Sequence, residues 1–490
     1  MRRLTDAGMF AFVLVDDAPT QQRHQRVFAA RDPTGIKPLY YGRDADGRVA
    51  AFASELKALV AIPDLHSVHE MPAGTLYYDG HFETYYHPAW ARSSDESFTT
   101  PRSDEEDRVA VRAALDEAVA KRMMTDVPFG LFLSGGVDSC IVAQLMVKRC
   151  RDLYGDRHAP PSYTVGMENS PDLMAARAMA KVLGTDHHER IFTADEAIDV
   201  VDSVVYHMET YNAELIRSAV PNWFLAERAA RDVKMVLTGE GADELWAGYA
   251  YFKDAPSGSA VHRELTRIYG HLGVANLLRT DRMTMAHSLE ARVPFLDVAN
   301  TAVAMAVDPA KKLTAGRLGP NGEPGEKAFL RTCFDRDHGG LRIPKPLLWR
   351  AKAMQAEGVG QNWVATLQAA LSARVSDADF ADAAVRFPHE TPQSKEEYYY
   401  RAVFERHYPN AQRVPTLWPG GCRAGGAEWQ TDTYTRFGLA DVSRLAHAYQ
   451  AADPTAEVPV VSSPPTPRPT TTSPPPTLDD TQQQVAAASA

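Results

Sequence analysis

The stretch that most constrains the fold is VPFGLFLSGGVDSCIVAQLMVK, residues Val127–Lys148. Its first seven residues form a short apolar run, which predicts a buried strand. Ser134-Gly135-Gly136 then breaks the run, and apolar residues return at helical spacing. A strand, a glycine loop and a helix would bring backbone N–H groups and the positive end of a helix dipole to one point. That point suits phosphate, and Asp138 and Ser139 would add a carboxylate for a divalent metal ion and a hydroxyl donor.

The loop differs from the two common glycine-rich phosphate motifs. It lacks the lysine of G-x-x-x-x-G-K-[ST], and it does not fit G-x-G-x-x-G. On spacing alone, an ordinary strand-to-helix turn therefore stays open as an alternative to a phosphate site.

Composition narrows the class of protein. The chain has 490 residues, enough for two or three domains, and a net charge of −11, which argues against a nucleic-acid-binding surface. Its four cysteines include no C-x-x-C pair, so we expect a reduced, cytoplasmic protein without a zinc site. No apolar run approaches membrane-spanning length.

Strands and helices are predicted to alternate between residues 127 and 250. Further strands are expected at 161–167, at 187–192 and from 233, and the last runs into a second glycine-rich loop, TGEGADE. Predicted helices at 172–184, 195–209 and 218–231 separate them. This alternation predicts an α/β fold with a doubly wound parallel sheet, whose ligand site lies at the carboxyl ends of the strands.

The rest of the chain divides by character. Residues 1–90 are rich in predicted strands, with a hairpin at Asp79-Gly80, and 91–103 read as a linker. Ser103 and Glu106 predict a capping box that opens a helix reaching about Met124. A domain at 104–411 would follow. Residues 412–490 are an extension that is expected to be disordered from about 453, because it is rich in Pro, Ser, Thr and Ala.

Several motifs together resemble the glutamine-dependent asparagine synthetase family. In order they are GMFAF, RDPTGIKPLYY, FASELKAL, LSGGVDS, YTVGMENSPDL, VLTGEGADELWAGY, EARVPFLD and EKAFLR, and they cover about residues 6–365. The resemblance implies an N-terminal Ntn-type glutaminase sandwich, of which residues 1–90 are the second half. A PP-loop ATP pyrophosphatase domain would follow. The implied reaction is activation of the aspartate β-carboxylate by ATP, giving β-aspartyl-AMP and pyrophosphate, followed by attack of ammonia.

One departure from the family concerns the nitrogen donor. Family members begin with a nucleophilic cysteine, whereas Arg2 follows Met1 here and no cysteine precedes Cys140. We therefore expect no glutaminase activity from this chain and a dependence on ammonia. An N-terminally truncated gene model is the favoured explanation, because half a sandwich would leave sheet edges and an apolar face uncovered.

The resemblance assigns roles around the two glycine loops. Asp138 and Asp243 would hold Mg²⁺, Glu240 would help to form the adenylate and accept a proton from ammonia, and Lys327 would meet the phosphates. The residues that would hold ATP and pyrophosphate are Leu133, Ser134, Gly135, Gly136, Asp138, Ser139, Val165, Thr238 and Gly239. From the residues alone, Val165 could equally be core packing and Lys327 a surface helix lysine.

Substrate recognition is assigned on fewer residues. Arg217 would pair with the substrate α-carboxylate or cap a neighbour, and Glu290 and Arg292 would bind substrate or brace their loop as an ion pair. The threonines usual in the segment before Arg217 are replaced by Ala213-Glu214-Leu215, which puts the details of aspartate recognition in doubt. His187 and His188 point to opposite faces of a strand and are read as structural.

Four functional hypotheses follow. The first is asparagine synthesis from aspartate, ATP and ammonia in the cytoplasm, without nucleic acid or membrane, with a homodimer left open. The second is a β-lactam-synthetase-like or other AMP-forming amide ligase, but those synthetases replace the glutamate of TGEG, which is Glu240 here. An RNA-modifying enzyme is opposed by the charge, and an inactive fragment or partner subunit by the presence of Asp138, Glu240 and Lys327.

Overall fold

A computed structural model of the chain describes residues 8–16, 26–92, 99, 102–155, 158–314, 325–351, 358–360, 362–388 and 390–409. The predicted disordered tail and Cys422 lie outside these residues. The described strands form three sheets. They are β1 (Ala11–Asp16), β2 (Arg26–Arg31), β3 (Tyr40–Arg43), β4 (Val49–Ala53), β5 (Ser67–Glu70), β6 (Thr75–Tyr78), β7 (His81–Thr84), β8 (Phe129–Phe132), β9 (Pro161–Gly166), β10 (Asp186–Ile191), β11 (Met235–Leu237) and β12 (Glu290–Arg292).

The central sheet has five parallel strands in the order β10-β9-β8-β11-β12. The direction of winding reverses between β8 and β11, which is the strand order of doubly wound α/β proteins. Met235 and Leu237 pack into one hydrophobic core and Val236, between them, into another, because successive side chains of a strand point to opposite faces. Both faces of the sheet are therefore covered, and the predicted α/β fold class is confirmed.

The described helices surround this sheet and continue beyond it. They are α1 (Leu56–Val60), α2 (Ala89–Arg92), α3 (Asp104–Arg122), α4 (Val137–Tyr154), α5 (Pro171–Leu183), α6 (Ala194–Asp199), α7 (Val201–Met208), α8 (Ala213–Ala229), α9 (Ala242–Trp246), α10 (Gly258–Gly270), α11 (Asn276–Met285), α12 (Val298–Ala306), α13 (Ala328–Phe334), α14 (Lys345–Leu348), α15 (Trp363–Ser372), α16 (Asp377–Ala381), α17 (Ala383–Arg386) and α18 (Lys395–His407). Short 3₁₀ turns lie at Ala250–Asp254, Leu272–Val274, Pro294–Leu296, Pro309–Lys312 and Arg336–His338.

Local signals in the sequence set several of these boundaries. The Ser103–Glu106 capping box is present at the start of α3, and α5 ends at Gly184 in the left-handed conformation. The helix expected at 195–209 is divided into α6 and α7, and α8 begins five residues earlier than expected, at Ala213. The side chain of Asn212 accepts a hydrogen bond from the N–H of Leu215, so it caps α8, a signal that the apolar pattern did not include.

The first 92 residues contribute two antiparallel sheets, β1-β2-β6-β7 and β4-β3-β5. Aromatic side chains pack between them: Tyr41 lies 4.7 Å from Phe82, and Phe52 lies 5.2 Å from Tyr77, ring centre to ring centre. The hairpin between β6 and β7 turns at Asp79 and Gly80 as predicted. These sheets form the partial sandwich expected for this end of the chain.

A buried carboxylate joins the N-terminal sheets to the helices around the parallel sheet. Glu209 accepts hydrogen bonds at 2.8 Å from the N–H groups of Leu56 and Lys57, the first residues of α1. It also accepts from Arg282 Nη2 at 2.7 Å and lies 3.0 Å from Lys57 Nζ. Because the carboxylate is fully buried, these donors replace all of its contacts with water.

No helix among the described residues combines the length and apolar character needed to cross a membrane.

Candidate functional site

A cavity of about 170 Å³ lies where the winding of the parallel sheet reverses, at the carboxyl ends of β8, β9 and β11. Both glycine loops and the start of α13 contribute to its wall. The predicted site residues that line it are Leu133, Ser134, Gly136, Asp138, Ser139, Val165, Thr238, Gly239, Glu240, Asp243 and Lys327. Residues from four separate stretches of the chain are thus brought to one cavity.

The first loop joins β8 to α4 and is braced from within. Ser139 Oγ donates to the carbonyl of Gly136 at 3.0 Å and lies 3.1 Å from Ser134 Oγ. Gly135 has φ +71°, and a Cβ there would lie 2.4 Å from Ala175 Cβ. Gly135 therefore permits a left-handed turn and close packing against α5, away from the cavity wall. No side chain caps α4 at Gly136, so the positive end of its dipole faces the loop.

The second loop joins β11 to α9 and touches the first through backbone atoms. A Cβ on Gly239 would lie 2.8 Å from the N of Ser139 and 2.9 Å from Cβ of Asp138. Only glycine fits at this distance, since real Cβ contacts are longer. The contact sets the spacing between Asp138 and Asp243, which lie on the two loops.

Lys327 lies between these two carboxylates. Its Nζ is 2.7 Å from Asp243 Oδ1 and donates a hydrogen bond to Asp138 Oδ2, and its side chain is 1% exposed. Lys327 has φ +55°, a left-handed conformation that is uncommon for residues with a side chain and is often found at functional sites. The helix α13 begins immediately after it, so the unusual backbone aims the lysine into the cavity.

One oxygen of Asp138 has no hydrogen-bond partner among the residues that the structure describes. Its Oδ1 is buried and accepts no hydrogen bond, although buried polar atoms are nearly always satisfied. No group of three or more His, Cys, Asp or Glu side chains among the described residues is arranged to hold a metal ion.

Glu240, the third predicted carboxylate of the cavity, is held by a cation. Arg279 Nη2 on α11 donates to Glu240 Oε1 at 2.9 Å, and the Arg279 side chain is 9% exposed. The guanidinium restricts the carboxylate to one orientation while leaving it on the cavity wall.

Glu244 lies behind this wall and is buried. It accepts hydrogen bonds from Tyr249 OH at 2.5 Å and from Asn276 Nδ2 at 2.8 Å. Burial, with the negative charge of Asp243 next to it, raises the pKa of Glu244 to about 7.

Three predicted substrate residues are not brought to the cavity. Arg217 forms a bidentate pair with Glu396, at 2.9 and 2.5 Å, and Glu396 also accepts from Tyr400 OH. Glu290 and Arg292 pair with each other at 3.2 Å. Arg292 Nη1 also donates to the carbonyls of residues 122 and 124. Of the two roles left open for this pair, bracing is the one the contacts support.

His187 and His188 take part in local contacts. His187 Nδ1 lies 2.9 Å from Ser162 Oγ, and His188 Nε2 lies 3.1 Å from Asp186 Oδ2. These contacts agree with the structural role expected from their places on a strand.

Sequence reasoning missed several residues of the wall. Asp172, on the first turn of α5, and Arg350, after α14, both line the cavity, as do Asn222, Thr280, Thr284 and Arg331. Asp172 follows β9 by a few residues, so its place beyond the carboxyl end of a parallel strand could have indicated it. Arg350 carries no such local signal, because its position depends on the path of the whole chain.

The sequence of the chain matches two known protein families. The sequence profile of the asparagine synthase family matches residues 110–260 and 253–437, and that of the glutamine amidotransferase domain matches residues 4–61.

Individual relatives of the chain are asparagine synthetases. The chain is similar to a glutamine-hydrolysing asparagine synthetase of Asparagus officinalis, with 41% identity over 423 residues, 84% of this chain and 68% of the relative. It is 39% identical to the enzyme of Sandersonia aurantiaca, over 85% of this chain and 76% of the relative. Asparagine synthetase 2 of Arabidopsis thaliana is 40% identical, over 84% and 69% respectively.

Proposed function

This chain belongs to the asparagine synthase family, and we propose that it is a carbon–nitrogen ligase that makes L-asparagine from L-aspartate and ATP. The reaction proceeds through β-aspartyl-AMP and releases pyrophosphate and AMP. The alternative of a β-lactam-synthetase-like enzyme is not favoured, because the relatives are asparagine synthetases and Glu240 is present on the cavity wall.

One observation carries the proposal: Lys327 Nζ contacts both Asp138 and Asp243 in a cavity between two glycine loops. The Ser134–Ser139 loop and the N-terminus of α4 bind the triphosphate. The aspartate β-carboxylate attacks the α-phosphorus, a new P–O bond forms, and the bond to the pyrophosphate oxygen breaks. Lys327 stabilises the negative charge that develops on the leaving pyrophosphate.

The residues present fit a bound Mg²⁺. Asp138 has a buried oxygen without a hydrogen-bond partner in the described part of the chain, and Asp243 lies across the same cavity. Mg²⁺ is commonly bound by one or two carboxylates together with phosphate oxygens, which agrees with the pair Asp138 and Asp243. When bound, the ion would neutralise charge on the phosphates.

Glu240 acts in the second half of the reaction. Its carboxylate accepts a proton as ammonia attacks the acyl carbon of the adenylate, and AMP leaves. The hydrogen bond from Arg279 at 2.9 Å keeps the carboxylate oriented toward the cavity.

Ammonia is the proposed nitrogen donor for this polypeptide. Glutamine hydrolysis by the family mechanism needs a reactive thiolate, whereas the cysteines among the described residues, Cys140, Cys150 and Cys333, are all buried. Burial raises the pKa of Cys140 to about 12, so its thiol stays protonated and unreactive at neutral pH.

The domain division and location also remain proposals. The antiparallel sheets lie within residues 8–92 and the parallel sheet within 127–292, which supports a boundary at 91–103. The free cysteines support the cytoplasm, and gel filtration would test for a homodimer.

The direct test incubates the purified chain with MgCl₂, ATP and aspartate, with ammonium chloride or glutamine. Asparagine, AMP and pyrophosphate in equal amounts are expected with ammonium chloride. No AMP with aspartate under either condition would refute the proposal. Asparagine from glutamine at the same rate would refute the choice of ammonia alone.

A further inference from the structure

Arg350 is a second cation at the phosphate loop that the proposed reaction has not used. Its side chain lines the cavity and is 6% exposed. Nη1 donates to the carbonyl of Ser134 at 3.3 Å, and Nη2 donates to Asp172 Oδ1 at 2.5 Å. The guanidinium thus spans from the first residue of the loop to the first turn of α5.

The other cations of the wall are held differently. Lys327 is shared by Asp138 and Asp243. Arg331 donates to the carbonyls of Glu326 and Leu348 and to the Glu326 carboxylate. Arg350 differs from both in donating to a backbone carbonyl of the first glycine loop, that of Ser134.

A structural brace does not need this charge. A neutral donor could hold the Ser134 carbonyl, whereas burying a guanidinium and its carboxylate carries a desolvation cost that an apolar pair avoids. The planar fork of arginine matches two oxygens of a phosphate group, and a phosphate-binding loop lies one hydrogen bond away.

We propose that Arg350 binds the pyrophosphate portion of ATP and of the released product, and that Asp172 is its positioning residue. The proposal rests on the function proposed above and adds a ligand for the β- and γ-phosphates. It predicts that Arg350 discriminates ATP and pyrophosphate from AMP, which lacks these groups.

Binding of three probes to the full chain tests this: ATP, inorganic pyrophosphate and AMP, each with MgCl₂ and without aspartate, by isothermal titration calorimetry. Arg350→Gln should weaken the binding of ATP and of pyrophosphate by about tenfold or more, since hydrogen bonds to charged groups contribute this much to affinity. AMP binding should not change. Arg177→Gln is the matched control, because Arg177 also pairs with a carboxylate, that of Glu189 on β10, but is half exposed.

Two results would overturn the proposal. Unchanged ATP and pyrophosphate binding would exclude contact with these phosphates, and an equal loss for AMP would show a brace that distorts the whole cavity. If Arg350→Gln does not fold, Arg350→Lys replaces it: the fork is lost but the charge stays, so an intermediate and equally selective loss is expected. No loss, or a loss that includes AMP, would again refute the proposal.

A double-mutant cycle tests Asp172. Asp172→Asn should weaken pyrophosphate binding in the wild-type background and have no further effect with Arg350→Gln, whereas additive losses would show that Asp172 acts independently. A wild-type chain that binds ATP and pyrophosphate but forms no AMP with aspartate would contradict the proposed function and leave the assignment of Arg350 intact.

Discussion

Replacing Glu209 by alanine should destabilise the contact between the N-terminal sheets and the helices around the parallel sheet. The carboxylate is fully buried and receives two N–H groups of α1 at 2.8 Å and Arg282 Nη2 at 2.7 Å. Its loss leaves Arg282, 3% exposed, without its closest carboxylate. Removing one partner of a buried ion pair costs about 3–5 kcal/mol, and the free energy of unfolding should fall by this amount.

Urea denaturation followed by tryptophan fluorescence measures the change. Glu209→Gln is the matched variant: it keeps one acceptor oxygen and loses the charge, so its loss should be smaller than that of Glu209→Ala. A Glu209→Ala protein within about 1 kcal/mol of wild type, the range of an exposed ion pair, would refute the reasoning, because water would then have replaced the carboxylate at little cost.

Three further predictions concern the cavity. Lys327→Ala should lower pyrophosphate release about 100-fold or more, since a single preorganised donor to a developing charge has this effect; a rate near wild type would contradict its role. Asp138→Asn should raise the Mg²⁺ concentration needed for half-maximal AMP formation, and EDTA should abolish AMP formation by the wild type; an unchanged Mg²⁺ dependence would exclude Asp138 as a ligand. Glu244 has its pKa raised from 4.5 to about 7, so the folded state holds a proton that the unfolded state has released between these pH values. The stabilisation that Glu244 contributes is therefore complete below pH 4.5 and is lost as the pH rises through 7. The side chain of Glu244→Gln stays neutral, so its free energy of unfolding, measured by urea denaturation, should fall less over this pH range than that of the wild type. An equal fall in both proteins would contradict the prediction.

Elements whose conformation is specified by neighbouring residues could be predicted from the sequence. The apolar run before Ser134, the Ser103–Glu106 box and the Asp79-Gly80 turn each specify their own conformation. The two glycine loops could be placed together, because the carboxyl ends of parallel strands meet at one edge.

Long-range partners could not be predicted in this way. Nothing near Arg217 indicates that Glu396, 179 positions later, takes its guanidinium. Similarly, Arg350 reaches Ser134 from 216 positions away. Such pairs depend on how whole helices pack against each other. Local propensity and periodicity carry no information about that packing.

The contact at Gly239 makes substitutions in one glycine loop depend on the residues of the other. A methyl group there would displace the peptide that carries Asp138, and the gap between Asp138 and Asp243 that Lys327 bridges would change with it. A substitution in either loop is then tolerated only when the other loop or the lysine changes to match. Although the loops lie about a hundred positions apart in the chain, their residues should therefore covary among related sequences.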